Sequence, residues 1–340
     1  MKTIVAFVIT LLITTTACSK KDNSGTVVIA PANLTLIAVV NSDNSGNVAF
    51  TSTATNTAAF TYDFGNGVSQ TLATGTTTYK YLTSGTFTVT VTAKSSTGQS
   101  ISKTILVNVT VALSLVWSDE FNTDGLPDPS KWGYDLGAGG WGNGELQYYT
   151  SRAENASISG GMLKITAKSE LFSGSPYTSA RLLSKGKYSF KYGKIETRAK
   201  LPAGVGTWAA IWMLGDNISS VGWPACGEID IMEHLGRQLN KIYGTLHHPG
   251  HSAGNGDGTT VMISNVSTEF HNYILEWSPT TIKFLVDDVP FYTFANTNTL
   301  PFNQNFFVIL NLAMGGGFGG PVDPAFSNAT MEIDYVRVYN

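Results

Sequence analysis

The sequence predicts an all-β protein made of two successive antiparallel sandwiches, and three observations lead there. Charged residues make up only 13% of the 340 positions, about half the usual soluble fraction, while glycine alone accounts for 35. The apolar runs are short, rich in Val, Ile and aromatic residues, and often alternate with Thr or Ser at the period of two that marks a half-buried strand. Turn sequences such as Asn-Ser-Gly, Gly-Asn-Gly, Thr-Ser-Gly and Ser-Thr-Gly divide these runs, and no stretch carries a convincing helical period. The length exceeds that of a usual single domain, so two folded units with accessory segments are expected.

Net charge is -3, without basic runs or an acidic tail. That pattern excludes the electrostatic footprint of a nucleic-acid or anionic-lipid binder and favours a neutral partner.

The amino terminus reads as an export signal. Lys2 gives a positive start, and residues 4–17 form an apolar stretch shorter than the roughly 20 residues that span a bilayer. The stretch ends Thr15-Thr16-Ala17-Cys18, which resembles a bacterial lipobox, with Thr15 standing where leucine is usual. On this reading residues 1–17 are removed and Cys18 is acylated, which makes the product an outer-membrane or cell-surface lipoprotein whose only membrane contact is its anchor. An ordinary secretory signal with an incidental cysteine, giving a secreted protein, is the competing reading. Cys226 is then the only other cysteine, so no intramolecular disulfide is expected.

Residues 18–32 carry no lasting periodicity and read as a linker. The first module, 33–112, contains runs such as Thr86-Phe87-Thr88-Val89-Thr90-Val91-Thr92, in which Phe87, Val89 and Val91 share one face and the threonines the other. Several such runs between tight turns give a small antiparallel sandwich. Here Tyr62-Asp63-Phe64-Gly65-Asn66-Gly67, with Tyr79-Lys80-Tyr81 and Ser84-Gly85-Thr86-Phe87, resembles the PKD-type immunoglobulin-like module, with Tyr62 and Asn66 where that family usually has Trp and Asp. It holds no catalytic cluster, so a spacer role is expected ahead of carbohydrate binding.

Residues 113–340 follow. Strand-like runs recur at 162–167, 186–192, 194–200, 210–214, 228–232, 273–277, 281–286, 306–312 and 331–339, divided by Gly- and Pro-rich turns. The pattern predicts two large stacked antiparallel sheets rather than a parallel α/β fold.

The chemistry is concentrated in Gly227-Glu228-Ile229-Asp230-Ile231-Met232-Glu233-His234, where three acids interrupt an apolar strand. At a period of two Glu228 and Asp230 share a face and Glu233 points away. One extra residue, a β-bulge near Met232, would return Glu233 to the other acids, and bulges are over-represented beside active sites. Two carboxyl groups about 5–5.5 Å apart suit a retaining glycosidase, one as nucleophile and the other as acid and then base. The simpler alternative is a solvated outer face. A metal site lacks both a histidine pair at ligand spacing near the acids and a His-Glu-x-x-His motif.

The segment Trp223-Pro224-Ala225-Cys226-Gly227-Glu228-Ile229-Asp230-Ile231-Met232-Glu233 resembles the signature of glycoside hydrolase family sixteen, particularly its laminarinase branch, which has the longer Glu-x-Asp-x-x-Glu form. Supporting segments are Trp117-Ser118-Asp119-Glu120-Phe121, Asn143-Gly144-Glu145-Leu146-Gln147 and Asp334-Tyr335-Val336-Arg337-Val338-Tyr339. The resemblance implies a concanavalin-like β-jelly roll with a long cleft, Glu228 as nucleophile, Asp230 as its assistant and Glu233 as acid/base. It implies a β-1,3-glucan substrate and catalysis without a cofactor.

Candidate sugar contacts are Trp208 and Trp212, which share a strand face, together with Trp223, Asn143 and Arg181. Aromatic rings stack on pyranose faces, although each tryptophan suits a buried core equally well and Arg181 suits a surface ion pair. The likeness puts His247 on a neighbouring cleft strand, either bonding a hydroxyl or acid or serving structure. His247-His248-Pro249-Gly250-His251 matches no strong ligand motif. Cys226, among carboxylates, is expected to pack rather than react. Many members of the family bind a structural calcium ion away from the cleft, and Glu120, Gly161 and Asp334 match those places.

Competing expectations are a relative acting on mixed-linkage β-1,3-1,4-glucan or a marine galactan, and a noncatalytic β-glucan-binding protein. All three acids are present, which disfavours the last, and no basic cluster near the motif suits a sulfated polymer. Monomer is the default expectation.

Overall fold

The computed structural model describes residues 29–340, so the predicted export signal and Cys18 lie outside the described residues. The chain divides into two compact units between Ala112 and Leu113.

The first unit pairs a three-stranded sheet (Ile37–Val40, Asn47–Thr51, Thr76–Lys80) with a four-stranded one (Ser69–Leu72, Ala59–Asp63, Gly85–Lys94, Ser100–Val109), all antiparallel. Along Gly85–Lys94 the alternation works as read: Val89, Val91 and Ala93 are buried with Phe50, Tyr62, Phe64 and Tyr81, while the threonines face outward. Tyr62, standing where tryptophan is usual, is fully buried with its hydroxyl 2.7 Å from both Ser52 Oγ and the Gly75 carbonyl, which gives the ring a polar anchor.

The second unit is a two-layer jelly roll. Ten strands form one sheet, ordered Gln147–Tyr149, Ser175–Ser179, Leu163–Phe172, Asn328–Tyr339, Gly193–Lys200, His271–Trp277, Thr281–Val286, Val289–Ala295, with Ala156–Ile158 and Leu115–Asp119 attached at its side. The facing sheet has seven, ordered Asp257–Met262, Lys241–His247, Glu228–Leu235, Thr207–Gly215, Phe306–Met314, Arg181–Leu183, Gly133–Asp135. Inward residues such as Leu163, Ile165, Ile195, Ile211, Ile229, Ile242, Leu310 and Ile333 fuse the layers into one core. The central Phe306–Met314 strand is buried on both faces, so its run is apolar throughout apart from Asn311.

Two expectations fared differently. The absence of convincing helices holds among the described residues, where the α-helices are the four-residue Ile218–Val221 and Gly316–Gly319. The strand expected at 186–192 does not form. The backbone N–H groups of Lys187 and Tyr188 both donate to the Ser184 carbonyl and close a turn, and Phe190 alone bridges to Phe306. Its alternating sequence is a connection whose aromatics Tyr188, Phe190 and Tyr192 cap the core.

Candidate active site

Glu228–Leu235 lies between Thr207–Gly215 and Lys241–His247, third of the strands in the seven-stranded sheet. On one side Ile211 pairs with Met232 and Trp212 with Asp230, so Ile231 is extra. On the other, Asp230 pairs with Thr245 and Glu233 with Tyr243, leaving Ile231 and Met232 opposite Gly244. This is the bulge, one residue wide, and it returns Glu233 to the face of Glu228 and Asp230. Gly244 opposes it because a Cβ there would sit 2.9 Å from atoms of both Phe284 and Phe291.

Each glutamate has its own indole donor. Trp223 Nε1 donates to Glu228 Oε2 at 2.9 Å, and Trp208 Nε1 to Glu233 Oε1 at 2.9 Å. Between them Asp230 is buried, with His247 Nε2 3.2 Å from its Oδ2 and 3.8 Å from Glu228 Oε1. Burial, then the charge of Asp230, pushes the Glu228 carboxyl up to about 8. Burial likewise lifts Glu233 to about 7, opposed by the Trp208 hydrogen bond and aided by the charge of Glu228. Asp230 is held well above the carboxylate range, first by burial and then by Glu233. Burial thus raises all three carboxyls above the ordinary carboxylate range, the direction an acid catalyst requires.

The other expected contacts surround this cluster. Trp208 and Trp212 are half-buried on the cleft face, and Trp223 is exposed. Arg181 forms the ion pair and also lies against aromatic rings: its Nε is 3.0 Å from Asp135 Oδ2, while its guanidinium is 4.7 Å from the Trp212 ring and 5.1 Å from that of Trp141. Asn143 is exposed, with its amide donating to Glu145 Oε1 at 3.1 Å.

Beneath these residues lies a polar network that sequence reasoning did not assign. Buried Glu145 accepts from Asn143, from Gln147 Nε2 at 2.6 Å and from the Tyr149 hydroxyl at 3.2 Å. Asn311 Nδ2 donates to that hydroxyl at 3.0 Å, and Asn311 Oδ1 accepts the Trp212 indole at 2.7 Å. A lone asparagine inside Phe306–Met314 was the available signal, since a polar group there needs partners. Phe318, in the short Gly316–Gly319 helix, was also missed; it packs edge-on against Trp208 at 5.4 Å and Tyr243 at 5.0 Å.

Cys226 is buried, and burial followed by the charge of Glu228 pushes its thiol up to about 11, so it stays unreactive. The calcium positions come close in register, because Leu163 and Asp119 flank Ile333 and Val336 on Asn328–Tyr339. Their side chains are engaged elsewhere: Glu120 makes a two-point pair with Arg337 at 3.0 and 2.8 Å, and Asp334 pairs with Arg198. Neither carboxylate fits as a free ligand, which leaves main-chain oxygens.

Comparison with known proteins agrees with this geometry. The model of glycosyl hydrolases family 16 matches residues 143–337, and that of the PKD domain matches 21–111. A Rhodothermus marinus beta-glucanase is 48% identical over 241 residues, covering 66% of this chain and 84% of that protein. A Cryptopygus antarcticus glucan endo-1,3-beta-glucosidase is 40% identical over 248 residues, covering 66% and 90%. The laminarinase structure from Rhodothermus marinus superposes with a TM-score of 0.65 at 48% identity, over 67% of this chain and 98% of that one.

Proposed function

The chain belongs to glycosyl hydrolases family 16, and we propose that it hydrolyses internal β-1,3-glucosidic bonds of laminarin-type glucans with retention of anomeric configuration. The observation that carries this reading is the bulge at Ile231–Met232, which sets Glu228 and Glu233 on one face, each under its own indole donor. Glu228 attacks the anomeric carbon as the Glu233 proton passes to the glycosidic oxygen, so the aglycone leaves neutral and a glycosyl–Glu228 ester remains. Water, deprotonated by Glu233, then attacks the same carbon, releasing Glu228 and restoring the Glu233 proton.

Asp230, two residues from Glu228 on the same strand face, assists by holding the nucleophile in orientation. It is buried, with His247 Nε2 3.2 Å from its Oδ2, and its charge opposes ionisation of Glu228. Glu228, bonded to the Trp223 indole, is the nucleophile, and Glu233, bonded to the Trp208 indole, is the acid and then the base. Trp208, Trp212 and Trp223 supply stacking faces, and Arg181 and Asn143 supply donors at the rim.

The test is reducing-end release from laminarin, lichenan, agarose and carrageenan by the full chain and by Glu228→Gln and Glu233→Gln. Laminarin cleavage abolished in both variants supports the reading; retention of laminarin without cleavage by the wild type would replace it with a binding protein. Structural calcium at 120, 161 and 334 is proposed only through main-chain oxygens, with a lowered melting temperature after chelation as its sign. Export as a lipoprotein acylated at Cys18 is proposed from the sequence alone, and Cys18→Ser should abolish fatty-acid labelling.

A further inference from the structure

At His247 and His248 strand alternation sends two adjacent imidazoles to opposite sides of one sheet. His247 pairs with Glu228 and faces the cleft. His248 faces the other way, 6% exposed, with its ring 6.1 Å from Phe294 and 5.7 Å from Phe302. The chain then reverses through Pro249 and Gly250, whose φ of 84° is the left-handed conformation this turn position needs. Reciprocal backbone hydrogen bonds of 2.8 and 2.9 Å join His248 to His251, and their rings stack at 4.8 Å. Asp257, which opens the next strand opposite Leu246, completes the group: His248 Nε2 lies 2.9 Å from its Oδ2 and His251 Nδ1 3.0 Å from its Oδ1.

We propose that His248, His251 and Asp257 form a divalent transition-metal site of the zinc class, which clamps the hairpin that carries His247. Two imidazole nitrogens and one carboxylate, with a solvent molecule in the remaining position, are a donor set that zinc accepts. The three ligand atoms all lie within 4.8 Å of one another. Tetrahedral bonds of about 2.0–2.1 Å place ligand atoms roughly 3.3 Å apart, so the two histidine–carboxylate gaps need to open by a few tenths of an ångström, while the two imidazole nitrogens already lie within 4.8 Å of each other. Calcium and magnesium are poor fits, because they take six or more oxygen ligands. Access is from solvent, because the His251 side chain is half exposed and that of Asp257 is partly exposed. Sequence spacing hid the site because Asp257 comes from the next strand.

A second acidic cluster, Glu228, Asp230 and His247, lies in the cleft and belongs to the reaction. Distinguishing the two is the core of the test. Zinc chloride is titrated calorimetrically into the full chain, wild type and variants, with thermal unfolding in parallel. The expected result is one bound equivalent and a melting temperature raised by several degrees at roughly 100 times the Kd. His251→Ala and Asp257→Asn should each weaken binding by about 100-fold or more, since losing even an outer-shell partner costs on the order of 10–100-fold. Both residues are partly exposed, and melting of the variants without metal checks that they fold. Absence of zinc binding by the wild type, or unchanged binding in both variants, overturns the proposal. So does binding lost in Glu228→Gln but kept in His251→Ala, which would put the ion in the cleft.

Discussion

Trp223 donates its indole N–H to Glu228 at 2.9 Å from an exposed position at the rim of the cleft. The bond favours the ionised carboxylate, so Trp223→Phe should raise the pKa of Glu228 and move the acidic limb of the pH–rate profile to higher pH. A hydrogen bond to a charged group contributes about 1.5–3 kcal/mol, discounted here for exposure, so kcat should fall roughly tenfold. An unmoved acidic limb would show that Trp223 serves only as a stacking platform.

Glu228 also makes stability depend on pH. Its folded carboxyl, near 8, lies above its ordinary value of 4.5, so the folded state holds the proton more tightly. That contribution is complete below pH 4.5 and is lost as pH rises toward 8. Glu228→Gln removes the penalty, and its melting temperature should exceed the wild type's at pH 8 by several degrees, reflecting about a few kcal/mol, with little difference at pH 4.5. Equal differences at both pH values would contradict this assignment.

His234 acts in the opposite direction. It is fully buried, neither ring nitrogen has a partner, and burial lowers its pKa to about 4. Its neutral form contributes stability above the ordinary value of 6.5, and that contribution is lost as pH falls toward 4. His234→Leu should flatten the acid side of the melting curve, with about 2–3 kcal/mol less loss between those limits.

Asn311 ties the floor of the cleft together, accepting from Trp212 and donating to Tyr149. Asn311→Leu keeps the volume but strands the half-buried Trp212 indole N–H and leaves the buried Tyr149 hydroxyl without its donor, a cost of about 2–4 kcal/mol. The melting temperature should drop, and KM for laminarin should rise because Trp212 is no longer held. A variant with unchanged KM would confine the network to stability.

The pattern of hits and misses has physical causes. The bulge was legible because three acids in an apolar strand conflict with a period of two unless one residue is inserted, and that conflict is local. The strand expected at 186–192 failed because alternation alone cannot tell a ladder from a turn, and the Ser184 carbonyl won both amides. Asn311 with Tyr149, and His248 with Asp257, are pairings made by folding across strands, so no spacing in the chain announces them. For Arg181 the ion pair formed as read, and its plane also lies over an aromatic ring, a contact that spacing in the chain does not announce.

The extra residue at Ile231–Met232 gives this strand something like a reading frame. Upstream of it the cleft reads Glu228 and Asp230; downstream it reads Glu233, while His234 goes to the interior. Deleting one residue there would exchange the last two, delivering an imidazole to the substrate and an unpaired carboxyl to an apolar core. A point substitution along the strand leaves that frame in place, whereas a single-codon deletion removes the acid and destabilises the fold in the same event. Recombination libraries of such enzymes should place no crossover between members that differ in length inside this strand.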